Sequence, residues 1–378
     1  MTAQIIHLSS REIFEKYSGI INSASFIYEP GSYLLELREA SEKDIHLLKN
    51  YIQEDKKIFF QKGDSSNIFL LQGNISEINK IIENFPDSEL KNKIISRLHN
   101  YLNYNLKFYE IGNKEYNFSE AYVMGILNVT PDSFSDGGLY INSDDAVEHA
   151  LEMINDGADF IDIGGESTRP GSDIVTEDEE LERVIPVIKK ILSAEPATVI
   201  SIDTTKSKVA EEAIKNGAKI VNDISAATFD EKMLAVVKMY NASVALMHIK
   251  GTPKTMQQNP YYENVMEEIN DFLFERTEAA VELGIKNIFV DPGIGFGKRI
   301  EDNFEILRRL EDLKSLGYPI IVGASRKSFL GKTLNLDITE RDTATAITES
   351  IAVKNGARII RTHNVKYGRQ VCELLNNF

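Results

Sequence analysis

The 378-residue sequence has a single cysteine, Cys372. One cysteine cannot form a disulfide within the chain, and it argues against a metal site built on cysteine thiolates. No run of apolar residues reaches the length of about 20 that crosses a bilayer, and the first residues lack the apolar segment of a secretory leader. We therefore expect a cytoplasmic protein that does not associate with membranes.

Positive charge is also scarce. The chain has 42 Lys and Arg residues against 58 Asp and Glu residues, which gives a formal net charge of -16. Such a balance argues against a nucleic-acid-binding surface, which needs clustered basic side chains. An acidic protein that binds an anionic substrate must place basic side chains locally, so isolated Arg and Lys residues in polar loops become candidate site residues.

Residues 1–117 have a different pattern from the rest of the chain. Strands are predicted over 32–38, 58–60, 68–71 and 105–111, and helices over 41–53, 76–84 and 87–101. This is the pattern of a small α+β domain, and it contains no cluster of His, carboxylate or Gly-rich residues typical of a site. We expect these residues to have a structural role in packing or oligomerisation, with ligand sensing as the alternative. For the chain as a whole we expect a homodimer.

From residue 118 to residue 378 strands and helices alternate. Three Gly-Ala pairs precede predicted strands, where Gly ends a helix in the left-handed conformation. The strands are predicted at 122–127, 160–163, 198–202, 219–221, 243–247, 287–290, 319–322 and 358–360. Eight strands that alternate with eight helices predict a (β/α)8 TIM barrel, and a doubly wound open sheet is the alternative fold.

Every predicted barrel strand is followed by polar or charged residues. In a barrel these strand ends converge on one mouth, which is where catalytic residues lie. The candidates are Asn128, Asp162, Asp203, Asn222, His248, Asp291, Lys327, Arg361 and His363.

The types of these residues indicate a ligand. Asp203, Asn222 and Asp291 are acceptors for the N–H groups of a flat heterocycle, because a carboxylate matches a guanidine-like edge through two parallel hydrogen bonds. Met247 and Phe296 are their apolar neighbours, and Lys327 can meet a ring carbonyl. A second group, formed by Arg361, His363 and Asn128, predicts an anion site with room for a metal.

Three loops accompany the strand ends. Residues 128–138 carry hydroxyl groups and the aromatic Phe134, and residues 164–171 carry Thr168 and Arg169, which can reach an anion. Residues 291–298 contain three glycines, which allow backbone to approach a flat ring, but they lack the spacing of a P-loop.

Other polar residues near the motifs have structural interpretations. We expect Lys206 and Lys298 to be solvated residues at helix starts. We expect His248 to brace the neighbouring loop, and Asp162 and Glu166 to orient the loop of residues 164–171.

Taken together, the motifs resemble those of the dihydropteroate synthase family. The resemblance is carried, in the order of the family, by residues 125–138, 165–171, 201–204, 222–223, 247–257, 291–298, 325–327 and 361–363. Asn364 departs from the family pattern, which commonly has Asp after the His, and we expect little effect. Residues 1–117 lie outside the resemblance.

The resemblance implies a transferase of folate biosynthesis and a target of sulfonamides. It implies condensation of 6-hydroxymethyl-7,8-dihydropterin diphosphate with 4-aminobenzoate, with Mg²⁺ held by Asn128. The implied pterin contacts are Asp203, Asn222, Met247, Asp291, Phe296 and Lys327. The implied diphosphate contacts are Asn128, Thr168, Arg361 and His363. The implied 4-aminobenzoate contacts are Phe134, Thr168, Arg169, Pro170, Lys327 and Ser328. The implied catalytic residues are Asp203, Lys327, Arg361 and His363.

Two alternatives share part of this pattern. A pterin-binding methyltransferase would use the same Asp and Asn contacts but would not need Arg361 and His363. A non-catalytic pterin-binding protein would have lost at least one motif, and none is lost. For the synthase we expect the pterin on one wall of the mouth and the diphosphate on the opposite wall.

Overall fold

The computed structural model describes residues 2–18, 26–52, 58–62, 67–130, 143–167 and 175–378. The chain divides into two compact units. The first unit comprises Met1–Tyr104 together with Glu311–Gly317, and the second comprises Asn105–Leu310 together with Tyr318–Phe378.

The first unit is built on an antiparallel sheet with the strand order β1-β2-β4-β3. Its strands are β1 (Thr2–His7), β2 (Tyr33–Arg38), β3 (Ile58–Lys62) and β4 (Asn67–Gly73). Its helices are α1 (Arg11–Ser18), α2 (Glu42–Ile52), α3 (Ile75–Glu83) and α4 (Glu89–Leu102). The α+β class matches the prediction, whereas β1 and α1 were not predicted.

One face of this sheet packs against α3 and α4. Side chains at alternate strand positions, such as Ile5, Leu35 and Phe69, are buried with residues of the two helices. Both helices begin at side-chain caps, since Asn74 accepts from the backbone of Glu77 and Ser88 does the same for Lys91. This core forms because the apolar faces of the two helices pack against the apolar side chains at alternate positions of the strands.

The second unit contains a closed barrel of eight parallel strands. The hairpin β5 (Phe108–Ile111) and β6 (Lys114–Asn117) precedes it. The barrel strands are β7 (Tyr122–Asn128), β8 (Phe160–Gly164), β9 (Val199–Asp203), β10 (Ile220–Asp223), β11 (Ser243–Met247), β12 (Ile288–Asp291), β13 (Ile320–Val322) and β14 (Ala357–Thr362). The closed order confirms the barrel over the open sheet.

Helices separate the strands of the barrel. They are α5 (Ser143–Asn155), α6 (Glu177–Ala194), α7 (Ser207–Lys215), α8 (Met233–Met239), α9 (Val265–Glu282), α10 (Ile300–Arg308), α11 (Ser328–Leu334), α12 (Asp342–Lys354) and α13 (Val365–Leu375). Helix α10 ends at Arg308, and Leu310–Leu316 then forms a separate 3₁₀ helix.

The hairpin before the barrel closes the end at which the strands begin. Tyr109 and Phe118 pack edge to face on Phe289, and Tyr116 stacks on Phe160 at 4.7 Å between ring centroids. The structure therefore places the division between the units at residue 104, not at the predicted residue 117. The hairpin belongs with the barrel because its aromatic side chains are buried there.

The described helices include none with enough length and apolar character to cross a membrane. Cys372 lies on α13 with its side chain fully buried, and burial raises the pKa of its thiol.

Candidate active site

The register of the barrel brings the polar strand ends to one level. Asn128 pairs with Gly164, Gly164 with Asp203, and Asp203 with Asn222 across four neighbouring strands. Gly164 supplies no side chain at this level, and a Cβ built there would lie 3.7 Å from Asp203 Oδ2 and 3.8 Å from Asn128 Oδ1. The glycine thus leaves open space, and an oxygen of Asn128 and an oxygen of Asp203 both border that space.

Arg361 is held by two carboxylates inside this mouth. Its Nε donates to Asp162 Oδ2 and its Nη2 donates to Asp203 Oδ2, both at 2.6 Å. The expected separation into opposite walls is therefore wrong for this pair, since the predicted pterin acid Asp203 and the predicted anion ligand Arg361 are in direct contact. The contact follows from the strand order β14-β7-β8-β9, because Arg361 lies on β14 and Asp203 lies on β9.

Asp162 has a more direct role in the site than the sequence analysis predicted. Its side chain is fully buried, and it accepts from Arg361 and from Asn222 Nδ2, the latter at 2.9 Å. It therefore orients two predicted ligand residues. The available signal was a carboxylate in the middle of the apolar strand 160–163, since buried charges are costly unless they are paired.

Asn222 gains a defined orientation from this contact. Because its side-chain nitrogen donates to Asp162, its side-chain oxygen is left as an acceptor. Burial raises the pKa of the Asp203 carboxyl, and the neighbouring Arg361 guanidinium opposes that rise.

Asp291 ends β12 and begins the glycine loop 291–298. Its Oδ1 accepts from Gly293 N at 2.6 Å. Burial raises the pKa of Asp291 to about 6, while the Gly293 N–H and the charges of Lys327, Lys298 and Arg361 oppose the rise. Met247 pairs with Asp291 in the next strand, so the predicted apolar and acidic contacts share one level.

Lys327 crosses the glycine loop. Its Nζ lies 3.9 Å from the centroid of the Phe296 ring, a cation–π distance. A Cβ on Gly295, which has a φ of +80°, would lie 3.0 Å from Lys327 Cδ, so the approach depends on glycine. Burial and the nearby Arg361 charge lower the pKa of Lys327 to about 8.

His363 is oriented by Ser325. The Ser325 hydroxyl lies 2.9 Å from His363 Nδ1 and accepts from His363 N at 3.1 Å. The neighbouring Arg326 forms an ion pair with Asp342, with Nε at 2.6 Å from Oδ1, so it has a structural role. Asn364 caps α13 by accepting from Tyr367 N and donating to Asp342.

Two lysines expected to be solvated are partly or wholly buried. Lys206 Nζ donates to Glu166 and, at 2.6 Å, to Glu180 Oε2. Glu166 also accepts from Val175 N, four residues beyond the loop of residues 164–171, so it ties this loop residue to the chain just before α6. Lys298 is 4% exposed and contacts His248, which confirms the bracing role of His248. Sequence neighbours alone did not show what covers either lysine.

The remaining predicted contacts belong mainly to 4-aminobenzoate. Ser328 is exposed at the start of α11. Phe134, Thr168, Arg169 and Pro170 lie outside the described residues.

Asn128 offers an oxygen ligand of the kind Mg²⁺ prefers, beside the carboxylate of Asp203. In the described ranges no group of three His, Cys, Asp or Glu side chains is arranged around a metal position. The donor set therefore fits a cation that phosphate oxygens would largely coordinate.

Comparison with known proteins gives consistent matches to the barrel. A family model described as pterin binding enzyme matches residues 124–363. The dihydropteroate synthase of Clostridium beijerinckii is 48% identical over 260 residues, which cover 68% of this chain and 94% of that protein. The Bacillus subtilis dihydropteroate synthase is 46% identical over 256 residues, which cover 67% of this chain and 87% of that protein.

Solved structures are similar over the same share of the chain. The Yersinia pestis dihydropteroate synthase with a sulfonamide drug complex has a TM-score of 0.68 and 41% identity, and the match covers 72% of this chain and 98% of that one. The Xanthomonas albilineans enzyme in complex with 7,8-dihydropteroate has a TM-score of 0.65 and 34% identity, with the same coverage of 72% and 98%.

Proposed function

This chain belongs to the family of pterin-binding enzymes as a dihydropteroate synthase, and from that premise we propose how its strand ends divide the work of the reaction. It is a transferase of folate biosynthesis, which condenses 6-hydroxymethyl-7,8-dihydropterin diphosphate with 4-aminobenzoate to give 7,8-dihydropteroate and diphosphate. The observation that carries the division is the guanidinium of Arg361 held between Asp162 and Asp203 beside Asn222.

The pterin is bound by acceptors on β9, β10 and β12. Asp291 receives the amino and ring N–H groups through two charge-assisted hydrogen bonds, and the side-chain oxygen of Asn222 receives a further one. Lys327 donates to the ring carbonyl, and Met247 and Phe296 contact the faces of the ring. Support comes from the common level of Met247 and Asp291 and from the fixed orientation of Asn222.

The diphosphate is bound by Arg361, His363, Asn128 and Thr168. A guanidinium has five N–H donors, and within the described residues Arg361 uses one on Asp162 and one on Asp203. Three donors are therefore left for phosphate oxygens, so Arg361 can bind the leaving group without breaking either ion pair. The two carboxylates hold the guanidinium in a fixed place, which reduces the ordering cost of binding.

Bond breaking precedes bond formation in this proposal. The C–O bond of the pterin methylene breaks, its electron pair leaves with the diphosphate, and positive charge spreads into the dihydropterin. Asp203 and Asp291 place negative charge beside that cation, and such preorganised charges typically contribute about 3 kcal/mol each. The amine of 4-aminobenzoate then attacks the methylene and loses its proton to water. No nucleophile from the protein is needed.

We propose that 4-aminobenzoate contacts Phe134, Thr168, Arg169, Pro170, Lys327 and Ser328. Mg²⁺ held by Asn128 and the diphosphate would neutralise charge that develops on the leaving group. The protein side chains contribute the orientation of the pterin and the donors that surround the diphosphate. Binding of sulfonamides, as in the Yersinia pestis structure, follows for this chain as part of the same proposal.

Release of diphosphate tests the function. Purified protein with Mg²⁺, the dihydropterin diphosphate and 4-aminobenzoate should release one diphosphate for each dihydropteroate formed, and a chelator should lower the rate at least about 10-fold, since metal stabilisation of a leaving group is worth several kcal/mol. Methylation of cobalamin from methyltetrahydrofolate without diphosphate release would favour the methyltransferase. Tight binding of the pterin with neither activity would favour a non-catalytic protein. An unchanged rate in chelator would contradict the role of Mg²⁺.

We propose a cytoplasmic homodimer. The single buried Cys372 is consistent with a reducing compartment, because no disulfide is available to the chain. Ile347 and Ile351 lie one turn apart on α12 and are 59% and 46% exposed, which supports an apolar contact between copies.

Light scattering tests the dimer. Glutamate at both Ile347 and Ile351 should convert dimer to monomer, because two charges would be placed in an apolar contact. Met239→Glu, at an apolar position of α8 that is 72% exposed, should leave the mass unchanged. A monomeric wild-type protein would contradict the proposal.

A further inference from the structure

Lys298 is a buried lysine whose ammonium has no direct carboxylate partner among its hydrogen bonds in the described chain. Its side chain is 4% exposed. Nζ lies 3.0 Å from His248 Nδ1, 3.3 Å from His248 O and 3.0 Å from Phe296 O. An ammonium has three N–H donors, and these three acceptors match them in number. Burial of a lysine is rare and costly, so a function is expected for it.

The three acceptors belong to the two loops that follow β11 and β12. His248 N donates to Asp291 O, and a Cβ built on Gly293 would lie only 1.9 Å from His248 O. The loops thus meet backbone against backbone, which only glycine at position 293 permits, with its φ of +70°. The hydroxyl of Tyr262 donates to Gly297 O at 2.7 Å and adds a second tie.

The same lysine lies behind the pterin acid. A Cβ built on Gly293 would lie 3.2 Å from Lys298 Nζ, and the N–H of Gly293 donates to Asp291 Oδ1. Gly293 therefore lies between the ammonium of Lys298 and the carboxylate of Asp291. Their charges attract each other across that residue, and the charge of Lys298 opposes the rise of the Asp291 pKa.

We propose that Lys298 is a positioning residue for the pterin: it joins the two loops that follow Met247 and Asp291, the second of which carries Phe296, and its positive charge stabilises the carboxylate of Asp291. The proposal rests on the assignment of Asp291 as the pterin acid. In this proposal Lys298 contacts no substrate itself and acts through Asp291, which does.

The charges around both groups agree with this role. Lys298, Lys327 and Arg361 face Asp291, and Asp291, Asp302, Lys327 and Lys250 face Lys298. The pKa of Lys298 is lowered to about 7 by burial, and that of Asp291 is raised to about 6 by burial. Burial lowers the pKa of His248 well below its ordinary value, so the imidazole stays a neutral acceptor.

The pKa shifts of Asp291 and Lys298 define the pH range in which Lys298 should affect pterin binding. Asp291 accepts two hydrogen bonds from the pterin only when ionised, so affinity should fall as the pH falls through about 6. Lys298 is charged below about 7, in the range where Asp291 needs support. Removal of its charge raises the pKa of Asp291, and the acid limb of pterin binding then moves to higher pH.

The test is the affinity for 6-hydroxymethylpterin, measured by calorimetry over a pH range that brackets the pKa values of Asp291 and Lys298. Lys298→Met and Lys298→Gln should both move the acid midpoint upward and lower affinity near pH 6 about 10-fold, with a smaller loss near pH 8. Lys298→Arg should have the acid midpoint of the wild type because arginine keeps the positive charge. In steady-state assays, KM for the pterin substrate should rise and KM for 4-aminobenzoate should stay unchanged.

Lys238→Met is the matched control, since Lys238 is an exposed barrel lysine that donates to Gly284 O. Its midpoint should equal that of the wild type. A Lys298→Gln variant that is folded by thermal melting but has the wild-type midpoint overturns the proposal, and so does an equal loss of affinity at every pH. If Asp291→Asn retains the wild-type acid limb, the pterin does not lie on Asp291, and the failure belongs to the proposed site.

Discussion

Replacement of Asp291 with asparagine should lower affinity for the pterin about 100-fold or more. The amide keeps an oxygen that can accept from Gly293 N, so the loop should hold its conformation. It cannot accept two hydrogen bonds from neighbouring N–H groups, because its second atom is itself a donor. Loss of a charge-assisted bidentate pair costs about 3 kcal/mol, which corresponds to that factor. Calorimetry with 6-hydroxymethylpterin measures it directly.

Asp230→Asn is the matched control for this experiment. Asp230 also accepts backbone hydrogen bonds, from Ser207 N at 2.8 Å and Lys232 N at 2.9 Å, but it lies at the starts of α7 and α8. Its replacement should affect stability and leave pterin affinity unchanged. If Asp291→Asn binds the pterin as tightly as the wild type does, the assignment of the pterin pocket fails.

Replacement of Arg361 with alanine should have the second large effect, on both stability and diphosphate binding. The change leaves Asp162 and Asp203 without their shared cation in a buried site. Removal of one partner of a buried ion pair typically costs about 3–5 kcal/mol, so the free energy of unfolding at pH 7 should fall by that amount. An arginine that served only as an anion ligand would not affect the free energy of unfolding in this way.

A second variant separates the two effects. Arg361→Ala with Asp162→Asn removes one of the unpaired charges, so it should recover part of the free energy of unfolding in urea titrations. Inhibition by inorganic diphosphate should stay weak in both variants because the guanidinium is absent. The control is Arg358→Ala, at the opposite end of β14, where the side chain donates to Phe118 O. If Arg361→Ala is inhibited by diphosphate as strongly as Arg358→Ala is, the role of Arg361 as an anion ligand is wrong.

The pH dependence of the Arg361→Ala loss follows from the unpaired carboxylates. Without the guanidinium, burial raises the pKa of Asp203 with no opposing charge from residue 361. Protonation then removes the unfavourable charge. The destabilisation should therefore be smaller near pH 5 than near pH 8, because the variant binds more protons when folded than the wild type does.

The barrel could be predicted from the sequence because its signals are local. Each strand is a short apolar run that is followed by polar residues, and Gly-Ala pairs mark several of the places where a helix ends and a strand begins. The positions of Asn128, Asp203 and Asn222 at one level then follow from parallel register alone. The family motifs added the identity of the ligands, which the strand pattern could not supply.

The features that were missed depend on contacts between distant parts of the chain. The burial of Lys298 is decided by His248, 50 residues earlier, and the place of the β5–β6 hairpin is decided by Phe289. Asp162 and Arg361 are 199 residues apart, so only barrel closure brings them together. Patterns of neighbours along the chain cannot show which side chain will cover a lysine or pair with an arginine.

The buried thiol of Cys372 has a practical consequence. Because the thiolate is the reactive form of cysteine, a fully buried thiol with a raised pKa should resist maleimides and other alkylating reagents while the protein is folded. The wild-type chain is therefore a suitable background for attaching a fluorophore or spin label at one chosen surface position, with no need to replace its native cysteine first.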